Sequence, residues 1–419
     1  MSKWPVSSLQ GKLHIKHGYP FKSEYFSDDG HYVVLTPGNF HEAGGFKRQA
    51  GKEKYYLGDI PEDYLHSKGD LIVAMTEQSA GLLGSCAFVP EEDTYLHNQR
   101  LGLISTDPKK LNKSFVYYLF QTKSVRKQIR LTSTGSKVKH TSPERLYAVT
   151  APLPKVDEQK KFAAVLSALD AKIDCNNRIN AELEAMAKTL YDYWFVQFDF
   201  PGANGKPYKS SGGKMVYNAA LKREIPLGWH DSSVLAVADL LGGGTPTKKK
   251  QEYWSGDIPF FTPSDADGSI FKFSTADYIT DEGLKGSSTK LFSKHTVFIT
   301  ARGSVGRLVL AGVDMSMNQS CYALRAKAGI SHVFLFFLAK ELIHHLHVKS
   351  SGSVFDSIVS NDIELTKLAI PKGEIIEKFA AVVEPAFEKI ANNTKENQQL
   401  AQLRDWLLPL LMNGQVRVA

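Results

Sequence analysis

The chain lacks the features that would commit it to a membrane, an oxidising compartment or a metal ion. Nowhere in its 419 residues does an apolar run approach the ~18 residues that a membrane span needs; the longest candidate is "VFLFFLA" at 333–339. The opening "MSKWPVSSLQ" has no apolar signal core, so the expectation is a cytoplasmic protein. Three cysteines, Cys86, Cys175 and Cys321, are widely spaced and odd in number. They fit neither a disulfide framework nor a zinc site and predict buried or inert thiols in a reducing environment.

Catalytic signatures are equally scarce. "GGGTPTKKK" (242–250) lacks the G-x-x-x-x-G-K-[ST] spacing of a phosphate loop, and Pro246 interrupts the place where backbone amides would gather. It reads as a tight turn followed by a solvated lysine run. His344, His345 and His347 have neither an H-E-x-x-H context nor cysteine support, and read as a surface helix face. Glu158-Gln159-Lys160 has the E-x-K form of a nuclease site, but no Pro-Asp precedes it at a suitable distance. It also opens a helical pattern, where acidic residues favour the macrodipole. No Asn-Pro-Pro-aromatic or Asp-Pro-Pro-aromatic motif is present to position an amino group for methyl transfer. The expectation is a reader without a catalytic centre and with no cofactor of its own; the alternative is an autonomous nuclease or methyltransferase with an unrecognised site.

What the chain does have is a repeat. "KKFAAVLSALDAKI" (160–173) and "EKFAAVVEPAFEKI" (377–390) lie 217 residues apart and agree at seven of fourteen positions. In the first copy Phe162, Leu166, Leu169, Ile173, Asn176, Asn180, Leu183, Ala187, Leu190 and Trp194 alternate four and three residues apart. That spacing keeps one stripe of a helix facing a partner. The second copy reads Phe379, Val383, Ala386, Ile390, Asn393, Asn397, Leu400, Arg404, Leu407 and Leu411, with Arg404 the one charged intruder. Asp157 is the expected N-cap of the first helix, and Pro385 allows a kink or a late start in the second. A helix from 158 to 194 would be roughly 55 Å long. Antiparallel pairing would set Asn176 beside Asn397 and Asn180 beside Asn393 about a pseudo-two-fold; parallel pairing would also match asparagine to asparagine.

Fainter echoes precede each helix. "TSTGS" (132–136) and "KSSGS" (349–353), Pro154 and Pro371, "SKGDLIVAMT" (67–76) and "SKHTVFITAR" (293–302), and Asn98-Gln99 and Asn318-Gln319 recur in the same order. The predicted domains are residues 1–155, a central helix over 156–198, a linker plus second domain over 199–372, and a distal helix over 373–419. The linker, "FPGANGKPYKSSGGKMVYN" (200–218), is rich in Gly, Pro, Ser and Lys. The fold class is α+β, with two mixed α/β domains separated by two long helices.

Charge follows the same plan. The net charge is +7. Residues 1–156 carry 21 Lys/Arg against 15 Asp/Glu and residues 199–372 carry 20 against 16, whereas 157–198 carry 5 against 7 and 373–419 carry 5 against 6. A polyanionic ligand would therefore meet the two long segments.

"GGGTPTKKKQEYWSGDIPFFT" (242–262), "TARGSVG" (300–306), "MNQSCYAL" (317–324), "YWFVQFDFP" (193–201) leading to "SSGGKMVYN" (210–218), and "PLPKVDEQKKFAAVLSALDAKI" (152–173) with its distal echo resemble the specificity subunit of type I restriction–modification systems. The first segment lacks a clear "GGTP", and the second helix has "GEIIEK" in place of "DEQ". The resemblance implies two target-recognition domains, each reading half of a split site in double-stranded DNA. It also implies an antiparallel helical coiled coil that acts as a ruler and binds two modification subunits, which carry S-adenosylmethionine and methylate adenine. Restriction subunits, using ATP and magnesium, join to cleave unmodified DNA. Candidate DNA contacts are Lys248, Lys249 and Lys250 with Arg302, Ser304 and Arg307 in the second domain, and Lys47, Arg48, Lys137 and Lys139 in the first.

Overall fold

The computed structural model describes residues 4–78, 81–349 and 357–418. The chain divides into two compact units, Met1–Ile173 with Gln399–Ala419, and Asp174–Gln398.

In the first unit an antiparallel sheet runs in the order Leu13–His17, Leu101–Thr106, Leu71–Ala74, Cys86–Phe88. The strand Leu71–Ala74 is buried at every residue, which explains why it reads as a continuous apolar run and not as an alternation. Leu71 and Val73 face Phe115, Leu119 and Ile129 of two short helices, Lys113–Gln121 and Lys123–Leu131. Ile72 and Ala74 face Val33, Leu35 and Tyr95 of a second sheet, in which Val33–Leu35 pairs parallel to Tyr95–His97.

The second unit repeats this plan. Its main sheet runs Ala238–Gly242, Cys321–Ala326, Val297–Thr300, Leu308–Ala311, Phe271–Lys272. Beside it, Trp254–Phe261 pairs parallel to Ser316–Met317. Small capping turns sit at matching places. Thr36 N donates to Asn39 Oδ1 at 2.9 Å, and Thr262 N donates to Asp265 Oδ2 at 2.8 Å. The apolar run Val333–Ala339 lies in the helix His332–Lys349 and is buried against Tyr191, with Phe337 stacked on the Tyr191 ring at 5.3 Å. No helix among the described residues is long and apolar enough to cross a membrane. The presumed linker is folded: Phe200 stacks on Tyr208 and Trp229, and Met215–Asn218 pairs with Arg223–Pro226. Cys86 and Cys321 are buried and Cys175 is half-buried; burial pushes the Cys321 thiol up to about 12.

The central helix runs Val156–Tyr191 and continues as a π-helical turn, Asp192–Val196; the distal helix runs Gly373–Met412. They pack antiparallel. In the second unit Asn176 Nδ2 donates to Asn397 Oδ1 at 2.9 Å and Asn393 Nδ2 donates to Asn180 Oδ1 at 2.9 Å. In the first, Arg404 meets Asp170 at 2.8 Å, and Phe162 and Leu166 are buried with Leu408 and Leu411. Phe379 and Ile390 are fully buried with Ala187 and Trp194, and Leu183 packs at their edge, while Leu169, Ile173 and Leu400 are half-buried.

Two details depart from expectation. Asp157 is not the N-cap, because the helix already begins at Val156 and Gln159 N donates to Lys155 O at 3.0 Å. Gln159, wholly buried, ties this start to the domain instead. It accepts from Asn112 N and donates to the carbonyls of Lys110 and Pro154. The distal helix neither starts late nor breaks at Pro385, which lies three turns inside it.

Candidate nucleic-acid interface

Each unit carries the same polar turn at one end of its main sheet. The strand Leu13–His17 ends in Gly18, where an added Cβ would fall 1.9 Å from the carbonyl oxygen of Asn98. Ala238–Gly242 ends in Gly243, where a Cβ would fall 2.2 Å from the carbonyl oxygen of Asn318. Only glycine admits so close a backbone approach. The asparagine side chain then shapes the turn: Arg100 N donates to Asn98 Oδ1, and Ser320 N donates to Asn318 Oδ1, both at 3.0 Å. Such Asx turns present the residue between, here the exposed Gln99 and Gln319, at a tip.

A second strand end closes the site. Met75 N donates to Arg100 O, and Thr141 N donates to Met75 O. Ala301 N donates to Ser320 O, and Ile358 N donates to Ala301 O, which makes Thr76 the counterpart of Arg302, and His140 that of Ser357. In the first unit this produces a cleft of about 390 Å³ lined by His17, Gly18, Met75, Thr76, Gln99, Arg100, His140 and Thr141. His140 Nδ1 lies 3.1 Å from Thr76 Oγ1. In the second unit Thr245 Oγ1 donates to Gln319 Oε1, bringing the "GGTP" turn against the glutamine.

Of the expected DNA contacts, Lys139 and Arg302 adjoin these turns, while Arg48 lines a separate pocket with Glu91 and Tyr95. Lys137 is exposed after Gly135, and Lys139 begins the two-residue strand that pairs with Thr76-Glu77 beside the cleft. Lys47 and Arg48 are exposed, but the Arg48 guanidinium is committed to Glu91, whose hydrogen bond raises its pKa. Lys248, Lys249 and Lys250 are exposed. Trp254 Nε1 donates to Thr247 O at 3.2 Å, folding this run into a turn, and Lys250 Nζ donates to Tyr253 Oη at 3.0 Å. Arg302, Ser304 and Arg307 share one turn, but they differ in role. Arg302 is exposed at a bridge to Ser357, the Ser304 carbonyl accepts from Thr300 Oγ1, and Arg307 Nη1 donates to the carbonyl of Ala266. The Gly352-Ser353 echo lies outside the described residues.

Gln99, Arg100, His140 and Gln319 were not among the expected contacts. A signal for them exists in the sequence. "HGYPFKSEYF" (17–26) occupies the place of "GGGTPTKKKQEYW" (242–254), and "VVLTPGN" (33–39) that of "PFFTPSD" (259–265). The first domain therefore has its glycine turn at Gly18-Tyr19-Pro20. Among the described residues no group of three or more His, Cys, Asp or Glu is placed to hold a metal ion.

Two copies of one mixed α/β domain, each with a glycine-gated polar turn, make this an internally duplicated recognition protein. The family model of the type I restriction modification DNA specificity domain matches residues 1–185 and 226–402. The specificity subunit of the type I restriction enzyme EcoBI of Escherichia coli is 30% identical over 99% of this chain and 83% of its own length. That of MjaIX from Methanocaldococcus jannaschii is 28% identical over 73% of this chain and 69% of its own. The crystal structure of the type I S subunit from M. genitalium shares the fold, with a TM-score of 0.60 at 16% identity, covering 98% of this chain and 96% of that one. The chain belongs to the specificity subunits of type I restriction–modification systems, the non-catalytic members of those complexes that carry their DNA specificity.

Proposed function

We propose that this chain reads a bipartite target in double-stranded DNA, one half-site through each domain, and docks two modification subunits on its helical pair. The observation that carries this reading is the duplicated glycine-gated Asn–Gln turn, once per unit. The domains that would do the reading are residues 1–155 and 199–372, with the helices 156–198 and 373–419 as spacer. Their basic excess suits phosphate contact, which positions the protein without specifying sequence. Lys47, Lys137, Lys139, Lys248, Lys249 and Lys250 serve that role in this reading, with Arg48 and Arg307 bracing loops. S-adenosylmethionine, ATP and magnesium belong to the modification and restriction subunits, and the assembly works in the cytoplasm with the DNA it guards.

Footprinting the complex assembled with modification subunits tests this. Two protected, sequence-specific half-sites flanking an indifferent gap are expected. A single contiguous site, or methylation or cleavage by the purified chain alone, would overturn it.

A further inference from the structure

The two domains differ at the cleft in one informative way. Arg100 in the first corresponds to Ser320 in the second, and Thr76 corresponds to Arg302, as their matching backbone hydrogen bonds require. Each site therefore has one arginine at its rim, but the arginine enters from the Asn–Gln turn in one domain and from the sheet strand in the other. The two entry points adjoin: Arg302 N donates to Ser320 O at 3.3 Å.

Arginines elsewhere in these domains are tied to protein partners, such as Arg48 to Glu91, Arg325 to Asp239 and Arg307 to the carbonyl of Ala266. Arg100 and Arg302 are exposed, and no carboxylate of the described residues pairs with either. A core or surface-stability role would not require the arginine to be restored from a different strand. A ligand that needs one planar, bidentate donor at this spot would. A glutamine stands beside it in both domains, and in the second its Oε1 is held by Thr245, leaving the amide NH₂ to donate outward.

On the reading of this chain as a bipartite DNA reader, we propose that Gln99 with Arg100, and Gln319 with Arg302, are the base-reading pairs of the two half-sites. The guanidinium donates to O6 and N7 of a guanine. The glutamine NH₂ donates to N7 of an adenine while Oε1, which has a second lone pair beside the one Thr245 fills in the second domain, accepts from the N6 amine. These are the pairings such side chains make in the major groove. The different entry of the arginine shifts the guanine relative to the adenine, so the two half-sites are not copies of one sequence.

The test uses the full chain assembled with its modification subunits and a randomised DNA library, read as the modified motif. Arg100→Ala is expected to relax one guanine position of one half-site by on the order of 10- to 100-fold, leaving the other half-site unchanged; Arg302→Ala does the reverse. Arg100→Lys and Arg302→Lys keep the charge and lose the fork, and are expected to relax the same positions. Thermal unfolding of each complex confirms that the exposed substitutions leave the fold intact. Uniformly weaker binding to all sequences with a shallower salt slope, rescued by lysine, would make these phosphate contacts and overturn the inference, as would an unchanged motif. A wild-type complex without two half-sites would instead remove the functional reading beneath it.

Discussion

Asn176 is almost wholly buried, and its amide lies 2.9 Å from Asn397 Oδ1 and 2.7 Å from Glu396 Oε2. Asn397 in turn donates to Asn177 Oδ1 at 2.8 Å, and Asn393, also buried, donates to Asn180. A polar layer placed in a mostly apolar seam fixes register, because any slip would strand its donors. Asn393→Ala is expected to cost about 1–3 kcal/mol, as it leaves Asn180 Oδ1 without its donor, measured by denaturant unfolding. Replacing all four seam asparagines by leucine should raise stability but relax register. Engineered cysteine pairs across the two helices would read this as crosslinking in more than one register, and a single unchanged register would refute the role.

Arg404, the charged residue in the seam, meets Asp170 at 2.8 Å, and Asp170 also accepts from Tyr118 Oη at 2.7 Å. Both ionic side chains are about one quarter exposed, so the pair is partly desolvated. Asp170→Ala leaves Arg404 with only the exposed Asp405, at 2.9 Å, and the Tyr118 phenol without its acceptor, and is expected to cost about 1–2 kcal/mol, below the 3–5 kcal/mol of a fully buried pair. Arg404→Met, which fills the seam without a charge, should cost less. Thermal unfolding of the two variants decides the order.

These helices were legible because their spacing is rigid: a constant offset of 217 aligns both seams, and the structure pairs them antiparallel. The domains were less legible because their loops differ in length. The offset is 226 between Thr36 and Thr262, 220 between Asn98 and Asn318, and 217 only from Thr132 and Lys349 onward. A fixed-offset comparison therefore finds Asn98 and Asn318 piecemeal and misses Gly18. Side-chain commitments were also invisible in one dimension. Nothing in "FKRQ" marks Arg48 as the partner of Glu91, and nothing in "GSVGR" marks Arg307 as a brace for Ala266. Asp157 failed as a cap because a buried glutamine two residues on anchors the helix instead.

Gly18 and Gly243 give a substitution with a domain-specific readout. A methyl group at either collides with a backbone carbonyl, so the Asn–Gln turn must move. Gly18→Ala is expected to weaken protection of one half-site in a footprint and Gly243→Ala the other. Equal loss at both half-sites from either variant would count against independent reading.

His97 and His66 occupy, in the first domain, the core positions filled by Met317 and Phe292 in the second. Both histidines are buried with ring centroids 4.7 Å apart. Burial, then the neighbouring His66, pushes His97 down to about 3. A folded pKa below the unfolded ~6.5 means that stability is present above pH 6.5 and is lost as pH falls towards 3. The linkage is about 2 kcal/mol at pH 5. His332, pushed down to about 4 by burial and by the stacked His295, gives the second unit the same sign. The comparison is therefore between variants of one domain: His97→Met should flatten the loss of stability between pH 6.5 and pH 4.5, measured by chemical denaturation across that range.

The lysine run tests phosphate contact separately from base reading. Lys248 and Lys249 are exposed, and Lys250 keeps its ammonium over the Tyr253 ring at 4.8 Å. If all three face phosphates, each neutralised phosphate contributes about 0.9 to the slope of log K against log salt. Replacing all three by alanine should lower that slope by about 2.7, weaken binding evenly across sequences, and leave the modified motif unchanged. Binding isotherms at several salt concentrations measure the slope directly. A changed motif with an unchanged slope would move these lysines from the backbone to the bases, and an unchanged slope with an unchanged motif would leave them as a solvated turn.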